Sequence, residues 1–283
     1  MILVMGASGN IGREIVKDLQ AKGVAFRGGY RSPGEAETAR QAGVETVMVD
    51  YGQPDTLDAA MQDIEKAFFV TSPSPQMPEL EGHIVDAAKR AGVRHLVKSS
   101  VFGAEGEDFL FARSHRLVEK QIEASGLVYT FLRPNGFMQN LLGQAGSIQA
   151  QGAFFIAVGD SRVSEIDVRD IARVAVTALT EPGHHGKAYE LTGPESLTYT
   201  ERAAILSEVL GKPVHYVSPP DADWVKGLVA SGVSEWLAEG MLDLMHYYRK
   251  GKAERVSATV EQVTGQTPVS YRQFVADFAQ AFR

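Results

Sequence analysis

Residues 1–16, "MILVMGASGNIGREIV", leave few folds open to this chain. A short apolar strand runs into a loop with glycines at 6, 9 and 12, and the loop runs directly into an amphipathic helix. One glycine makes the tight turn, another lets a backbone come close to a phosphate, and a third lets helix and strand pack closely. The helix then offers unpaired N–H groups and the positive end of its dipole to whatever lies in the loop. A strand, loop and helix of this kind open a parallel sheet that binds a dinucleotide. The spacing is Gly-x-x-Gly-x-x-Gly rather than Gly-x-Gly-x-x-Gly. The position of the glycines between strand and helix therefore carries the reading, more than the string itself.

The alternation continues through the first half. Apolar runs suited to buried strands occur at "VAFRGGY", "ETVMVD", "KAFFV", "HLVKSS" and "VYTFLRP". Helical patterns lie between them, at 11–22, 35–42, 56–61, 78–91 and 109–125. Strands buried on both faces and separated by amphipathic helices predict a Rossmann-type, doubly wound α/β sheet. Gly23, Gly43, Gly92 and Gly126 each follow a helix, where a C-terminal cap takes a left-handed residue. Beyond Arg133 the pattern loosens. "RVSEIDVRDIARVAVTAL" predicts a strand and then a helix capped by Asp167. "KAYELTG" predicts a strand, 200–210 a helix, "PVHYVSPP" a strand, and three helical stretches follow. The expected division is a dinucleotide-binding domain over 1–150 and a smaller, mostly helical substrate lobe over 151–283. The boundary is soft, and segments of the lobe are free to return to the main sheet.

Bulk properties narrow the partners. The 283 residues carry a net charge of −7 and no long basic run, which argues against nucleic acid or an acidic membrane surface as a partner. There is no cysteine, so thiolate chemistry and thiolate metal sites are absent. No apolar run approaches the ~20 residues that span a bilayer. His184 and His185 stand in the turn "EPGHHGK" without carboxylates at ligand spacing, so no metal site is expected. The expectation is a cytoplasmic protein, monomer or homodimer, acting on a small molecule.

The second strand ends near Tyr30. About 20 residues after the glycine loop, NAD-preferring sites place an acidic residue on the ribose hydroxyls. Here Arg31 stands there, followed by Ser32. A guanidinium at that point suits a 2′-phosphate, which favours NADP(H) over NAD(H). Asp50 ends the third strand and has two equal readings, an acceptor for the adenine amino group or a turn-former before Tyr51-Gly52.

In the stretch "FARSHRLVEK", residues 111–120, helical phase puts Phe111, Ser114, Val118 and Ile122 on one face with His115 beside them. Arg116, Lys120 and Glu123 fall on the opposite, solvated side. Together with "GASGNIG", "YRSP", "MVDYGQPDTL", "AAKRAGVRHLVKSS", "EASGLVYTFLRPNGFMQNLL", "IDVRDIA" and "YELTGPESLTYTE", this chain resembles the NmrA-like atypical short-chain dehydrogenases. That group includes NADPH-dependent quinone reductases, azo- and triphenylmethane-dye reductases, and cofactor-sensing regulators. The resemblance covers most of the chain.

The resemblance implies cofactor contacts from Gly6, Ser8, Gly9, Asn10, Ile11 and Gly12, with Thr71, Ser72 and Pro73 beside the diphosphate and ribose. Pro134, Asn135, Gly136 and Phe137 would border the nicotinamide, and Phe137 and Met138 would wall a flat acceptor. Ordinary short-chain dehydrogenases carry a proton-donating Tyr and a Lys on the helix that here holds Phe111 and His115. Phe111 has no proton to give. His115 is left to bond the ribose or to protonate a substrate. Ser99 and Ser100 end the fifth strand, where the usual catalytic serine lies; routine capping of a strand end is an equal reading. Without the tyrosine, a quinone, azo group or dye cation is a more suitable hydride acceptor than a simple ketone. The loss also permits a second reading, a regulator that binds NADP(H) and turns nothing over.

Overall fold

The computed structural model describes residues 1–283. Six strands of the first half, β1 (Ile2–Met5), β2 (Phe26–Tyr30), β3 (Glu45–Met48), β4 (Lys66–Phe69), β5 (His95–Ser99) and β6 (Tyr129–Pro134), alternate with helices. These are α1 (Asn10–Ala21), α2 (Pro33–Gln41), α3 (Pro54–Ala60), α4 (Met77–Ala91) and α5 (Leu110–Ser125). In the second half α6 (Ala145–Gln151) leads into β7 (Ala153–Phe155), β8 (Arg162–Val163) and α7 (Val168–Thr180). Then come β9 (Lys187–Leu191), β10 (Leu197–Thr198), α8 (Tyr199–Leu210) and β11 (His215–Val217). The main sheet has seven parallel strands in the order β3-β2-β1-β4-β5-β6-β9. The order reverses between β1 and β4, and a crevice opens there at the carboxyl ends of the strands.

The period of each helix explains which layer it enters. In α1 the buried residues Ile11, Ile15, Val16 and Leu19 form one stripe against the sheet. They share a core with Val4, Phe68 and the α7 residues Ile171, Ala175 and Leu179. The opposite face carries α3, α4 and α5 through Leu57, Ile84, Val118 and Ile122, packed on Leu3, Met5 and Phe131. Gly23, Gly43, Gly92 and Gly126 all take the left-handed conformation their position after a helix requires. Asp167 caps α7, its carboxylate accepting from the Arg169 N–H at 2.9 Å.

The second half is divided between the two layers of the molecule. β9 extends the main sheet beside β6, and α7 packs on α1. Most of the remaining segments build a third core around Phe109, Phe154, Tyr199, Tyr271 and Phe274, while Val260 joins the sheet-side core of α1 and α7. A single cut near residue 150 therefore does not follow the packing, because residues 168–191 belong with the sheet. The three helical stretches expected at the end are five: α9 (Asp221–Ala230), α10 (Glu235–Arg249), α11 (Thr259–Thr264), α12 (Tyr271–Asp277) and α13 (Ala279–Phe282). No helix is long and apolar enough to cross a membrane.

His95 opens β5 in a buried setting, its Nε2 2.8 Å from the Thr130 hydroxyl and its ring 4.7 Å from that of His185. Burial, with His185, Lys66 and His184 nearby, lowers its pKa from 6.5 to about 4. The ring is neutral in the fold and gains a proton on unfolding below pH 6.5. Its contribution to stability therefore falls as pH drops from 6.5 towards 4 and is constant above that window. Calorimetry between pH 4 and 7 should show the thermal midpoint declining with acid, and His95→Gln should make that decline shallower.

Candidate active site

The crevice at the carboxyl ends of β1, β2, β4, β5 and β6 widens into one cleft of about 1090 Å³. Its sheet-side wall is the glycine loop. Gly6 has φ of +73°, and a Cβ there would press on the Val70 carbonyl at 3.2 Å. Gly9 is the N-cap of α1; no side chain caps that helix and its first turn holds no acidic residue. Its leading N–H groups are thus left for an anion in the cleft. Ser8, Asn10 and Ile11 line the same wall. Gly12 does not reach the cleft. A Cβ at that position would overlap the Gly6 carbonyl, so its role is to let α1 sit against the loop.

Arg31 lies at the mouth, exposed, and pairs with no carboxylate of the protein. The next residue, Ser32, caps α2 through the Glu35 N–H. Asp50 also borders the cleft, yet both its oxygens are engaged. One accepts from the Gly52 N–H at 3.0 Å and the other from Gln53 Nε2 at 3.1 Å. The turn-forming reading is the one its bonds express. Thr71, Ser72 and Pro73 line the cleft after β4, with the Thr71 hydroxyl donating to Glu81 at 2.6 Å. An unpaired guanidinium, a helix N-terminus free of acid and a glycine wall together fit a phosphorylated dinucleotide.

Two expected contacts find other employment. The Asn135 amide donates to Ser164 Oγ at 3.0 Å and to the Ala253 carbonyl at 2.9 Å, and its oxygen accepts from the Gly136 N–H at 2.9 Å. This buried side chain ties the end of β6 to the lobe, and both its N–H donors are spent within the protein. Met138 is buried in the lobe core, over Gly193, and is not part of the cleft wall. Phe137 does line it.

On α5, Phe111 and His115 face the cleft. Ser114 turns its hydroxyl back to the Leu110 carbonyl at 3.1 Å. Lys120 pairs with Glu107 on the outer side of the helix, whereas Arg116, expected to be solvated, is largely enclosed and bridges Glu123 at 2.9 Å and buried Glu119 at 3.2 Å. Ser99 lines the cleft, as does Ser100, whose hydroxyl donates to Glu119 at 2.7 Å. Glu119 also receives Arg133 through Nε at 3.0 Å and Nη2 at 2.8 Å. Burial alone would raise the Glu119 carboxyl; Arg133, Ser100 and Arg116 outweigh it and hold it below the usual carboxylate range.

Four charged residues of this region escape a reading from sequence: Glu81, Lys98, Glu119 and Arg133. Lys98 is fully buried on β5, pairs with the equally buried Glu81 of α4, and lies 3.2 Å from His115 Nδ1. Burial, and then the Lys98 charge, push the His115 pKa well below its usual value. A signal was present in "HLVKSS", because a lysine inside a strand covered on both faces requires a buried partner.

The far end of the cleft is apolar, with Phe137, Leu141, Phe154, Trp224, Met241 and Met245 on its walls. Trp236 packs edge-on to Phe111 at 6.0 Å. A polar cluster interrupts this wall: Glu165 accepts from the Tyr199 hydroxyl at 2.6 Å and pairs with Arg202, whose guanidinium lies 4.5 Å over the Tyr199 ring.

Residues 6–182, the glycine loop and the strands and helices after it, match the family described as NAD(P)H-binding. The chain belongs to this NAD(P)H-binding family. Over its full length it is 38% identical to an NAD(P)H azoreductase of Xenophilus azovorans, covering 99% of that protein. It is 30% identical to quinone oxidoreductase 2 of Escherichia coli, each covering 98% of the other. Among solved structures, an NADPH-dependent quinone oxidoreductase of Escherichia coli complexed with NADPH superposes with a TM-score of 0.90 at 30% identity, covering 99% of this chain and 100% of that one. A triphenylmethane reductase of Citrobacter complexed with NADP(H) gives 0.88 at 30% identity with the same coverage. The resemblance to the NmrA-like atypical short-chain dehydrogenases holds, and this member of the NAD(P)H-binding family is an oxidoreductase.

The Gly6–Gly12 contact is open to test by its stability. Gly12→Ala forces α1 away from the loop, and urea titration should show a loss of about 1–3 kcal/mol or more, with weaker dinucleotide binding in the protein that still folds.

Proposed function

We propose that this oxidoreductase prefers NADPH and passes hydride to a small, conjugated, electron-poor acceptor of the quinone, azo or triphenylmethane type. The observation that carries the reading is the continuity of one cleft. It runs from the glycine loop and unpaired Arg31 to His115 and then to an apolar chamber, and Phe111 stands where an acid tyrosine is expected. The bound dinucleotide supplies the hydride. The chain supplies the rest: the α1 N-terminus and Arg31 hold phosphates, Phe137 and the lobe aromatics exclude water and flatten the acceptor's site, and His115 presents a ring nitrogen to the reacting end.

Acceptor chemistry fits this division. A ketone needs a strong acid at its oxygen as hydride arrives. A quinone or azo group tolerates a weaker donor, and a dye cation becomes neutral on accepting hydride. The names of the azoreductase, quinone oxidoreductase and triphenylmethane reductase relatives support the same class.

NADPH oxidation followed by absorbance with a panel of such acceptors tests the reading. Arg31→Ala should raise the NADPH KM roughly ten- to a hundred-fold, the worth of about 1.5–3 kcal/mol for a charged hydrogen bond, and leave the NADH KM little changed. His115→Ala should lower kcat on a quinone by roughly a hundred-fold. Tight dinucleotide binding without turnover of any acceptor would instead favour a regulator that senses NADP(H).

A further inference from the structure

The charged cluster behind His115 has the geometry of a proton relay. Lys98 Nζ has three protons as an ammonium, and three acceptors surround it: Glu81 Oε2, the Ser99 carbonyl at 3.3 Å and His115 Nδ1 at 3.2 Å. An ammonium offers only donors, so His115 Nδ1 must accept. A neutral ring that accepts at Nδ1 carries its proton on Nε2. No protein group bonds Nε2, and the ring borders the cleft. At the other end of the cluster Glu81 Oε1 accepts from Thr71, which also lines the cleft.

We propose that Lys98, held by Glu81, is a positioning residue that fixes His115 as the Nε2–H tautomer, and that Thr71, Glu81, Lys98 and His115 form a relay that protonates quinone and azo acceptors. The proposal rests on the reductase reading. Hydride brings two electrons to the acceptor, and the dinucleotide is oxidised. An oxygen or nitrogen of the acceptor takes the Nε2 proton as the Nε2–H bond breaks. Lys98 passes one proton to Nδ1, which leaves a neutral amine beside the Glu81 carboxylate. A solvent proton returns through the Thr71 hydroxyl and Glu81 and restores the ammonium. The loss at Nε2 is matched by the gain at Nδ1, so the ring never becomes an imidazolate. Once the product has left, water in the cleft protonates Nε2 as Nδ1 gives its proton back through Lys98, Glu81 and Thr71 to solvent. This restores the starting tautomer at a net cost of one solvent proton per turnover.

The surroundings favour a neutral ring. Lys98 faces it from β5, and Glu81 reaches Lys98 from α4. Tyr51, after β3, is pushed up by burial and by Glu81 and stays protonated. Glu119, one turn along α5, is taken up by Arg133 and Arg116. His115 itself is held well below its usual range by burial and Lys98. No carboxylate outside the Lys98 pair touches the ring to draw a second proton onto it.

The chemistry of the acceptors provides an internal control. Hydride addition to a triphenylmethane cation gives a neutral product and needs no proton, whereas a quinone oxygen needs one. The double variant Glu81→Gln/Lys98→Met removes both buried charges together and leaves neither unpaired. Turnover would be measured with menadione and with malachite green, and ¹⁵N spectra of the histidine rings would be recorded at pH 7 with and without NADPH, His115 being assigned by its loss in His115→Asn.

The expected result has three parts. Wild-type His115 shows a protonated Nε2 and a bare Nδ1. The double variant shows a mixture of tautomers or a protonated ring. Its kcat on menadione falls at least ten-fold further than its kcat on malachite green. If the double variant fails to fold, His115→Asn, which keeps the Lys98–Glu81 pair, must show the same split between the two acceptors. A wild-type ring protonated on Nδ1, or equal losses on both acceptors, overturns the relay. Absence of turnover with every acceptor overturns the reductase reading and the relay with it, and the ring spectra then decide separately whether Lys98 sets the tautomer.

Discussion

The seat of α1 on the glycine loop is the contact from which the rest of the molecule is built. Gly12 lies so close to the Gly6 carbonyl that no side chain fits between them. This fixes the height and direction of α1 and aims its first turn at the crevice. The α1 stripe of Ile11, Ile15 and Leu19 then supplies the surface on which α7 packs. Because α7 comes from the second half of the chain, that packing brings β9 to the edge of the sheet. The lobe segments on either side of α7 and β9 are drawn to the open end of the cleft. A loop of three glycines thus sets both the wall of the crevice and the place of the apolar end of the cleft.

The first half was legible because its signals are local. Strand, glycine and helix alternate at short range, and each capping glycine stands where a helix ends. Arg31 was legible because its distance from the glycine loop sets its place at the end of β2. Helical phase was enough to separate His115 and Phe111 from Arg116 and Lys120. What escaped was pairing at long range. Lys98 and Glu81 are 17 positions apart and lie on different elements, and neither has a periodicity that announces its partner. Glu119 and Arg133 meet in the same way, from α5 and β6. Asn135 and Asp50 show the converse. Each has a residue type that binds ligands well, and each borders the cleft, yet each also makes structural hydrogen bonds within the protein that the sequence does not announce.

The buried charges explain how a site without tyrosine keeps its order. An unpaired ammonium on a central strand would be costly, and Glu81 offsets that cost only because both side chains are wholly enclosed and well aimed. The same enclosure keeps His115 neutral. One carboxylate therefore does two things: it makes Lys98 tolerable inside the sheet and holds it against the histidine. The Glu119–Arg133 pair does comparable work one turn further along α5, tying the helix to β6 and keeping His115 at a fixed height over the cleft.

The acceptor end of the cleft is assembled differently from the dinucleotide end. Trp224, Leu228, Leu237, Met241 and Met245 come from just two helices, α9 and α10. Those helices meet the sheet layer through α5, where Gly240 allows the Phe111 ring to approach and Trp236 packs against it. None of their wall residues takes part in the glycine loop, the Arg31 corner or the Lys98 cluster. Exchange of side chains on one helical hairpin would therefore reshape the apolar end of the cleft and leave its glycine-loop wall untouched.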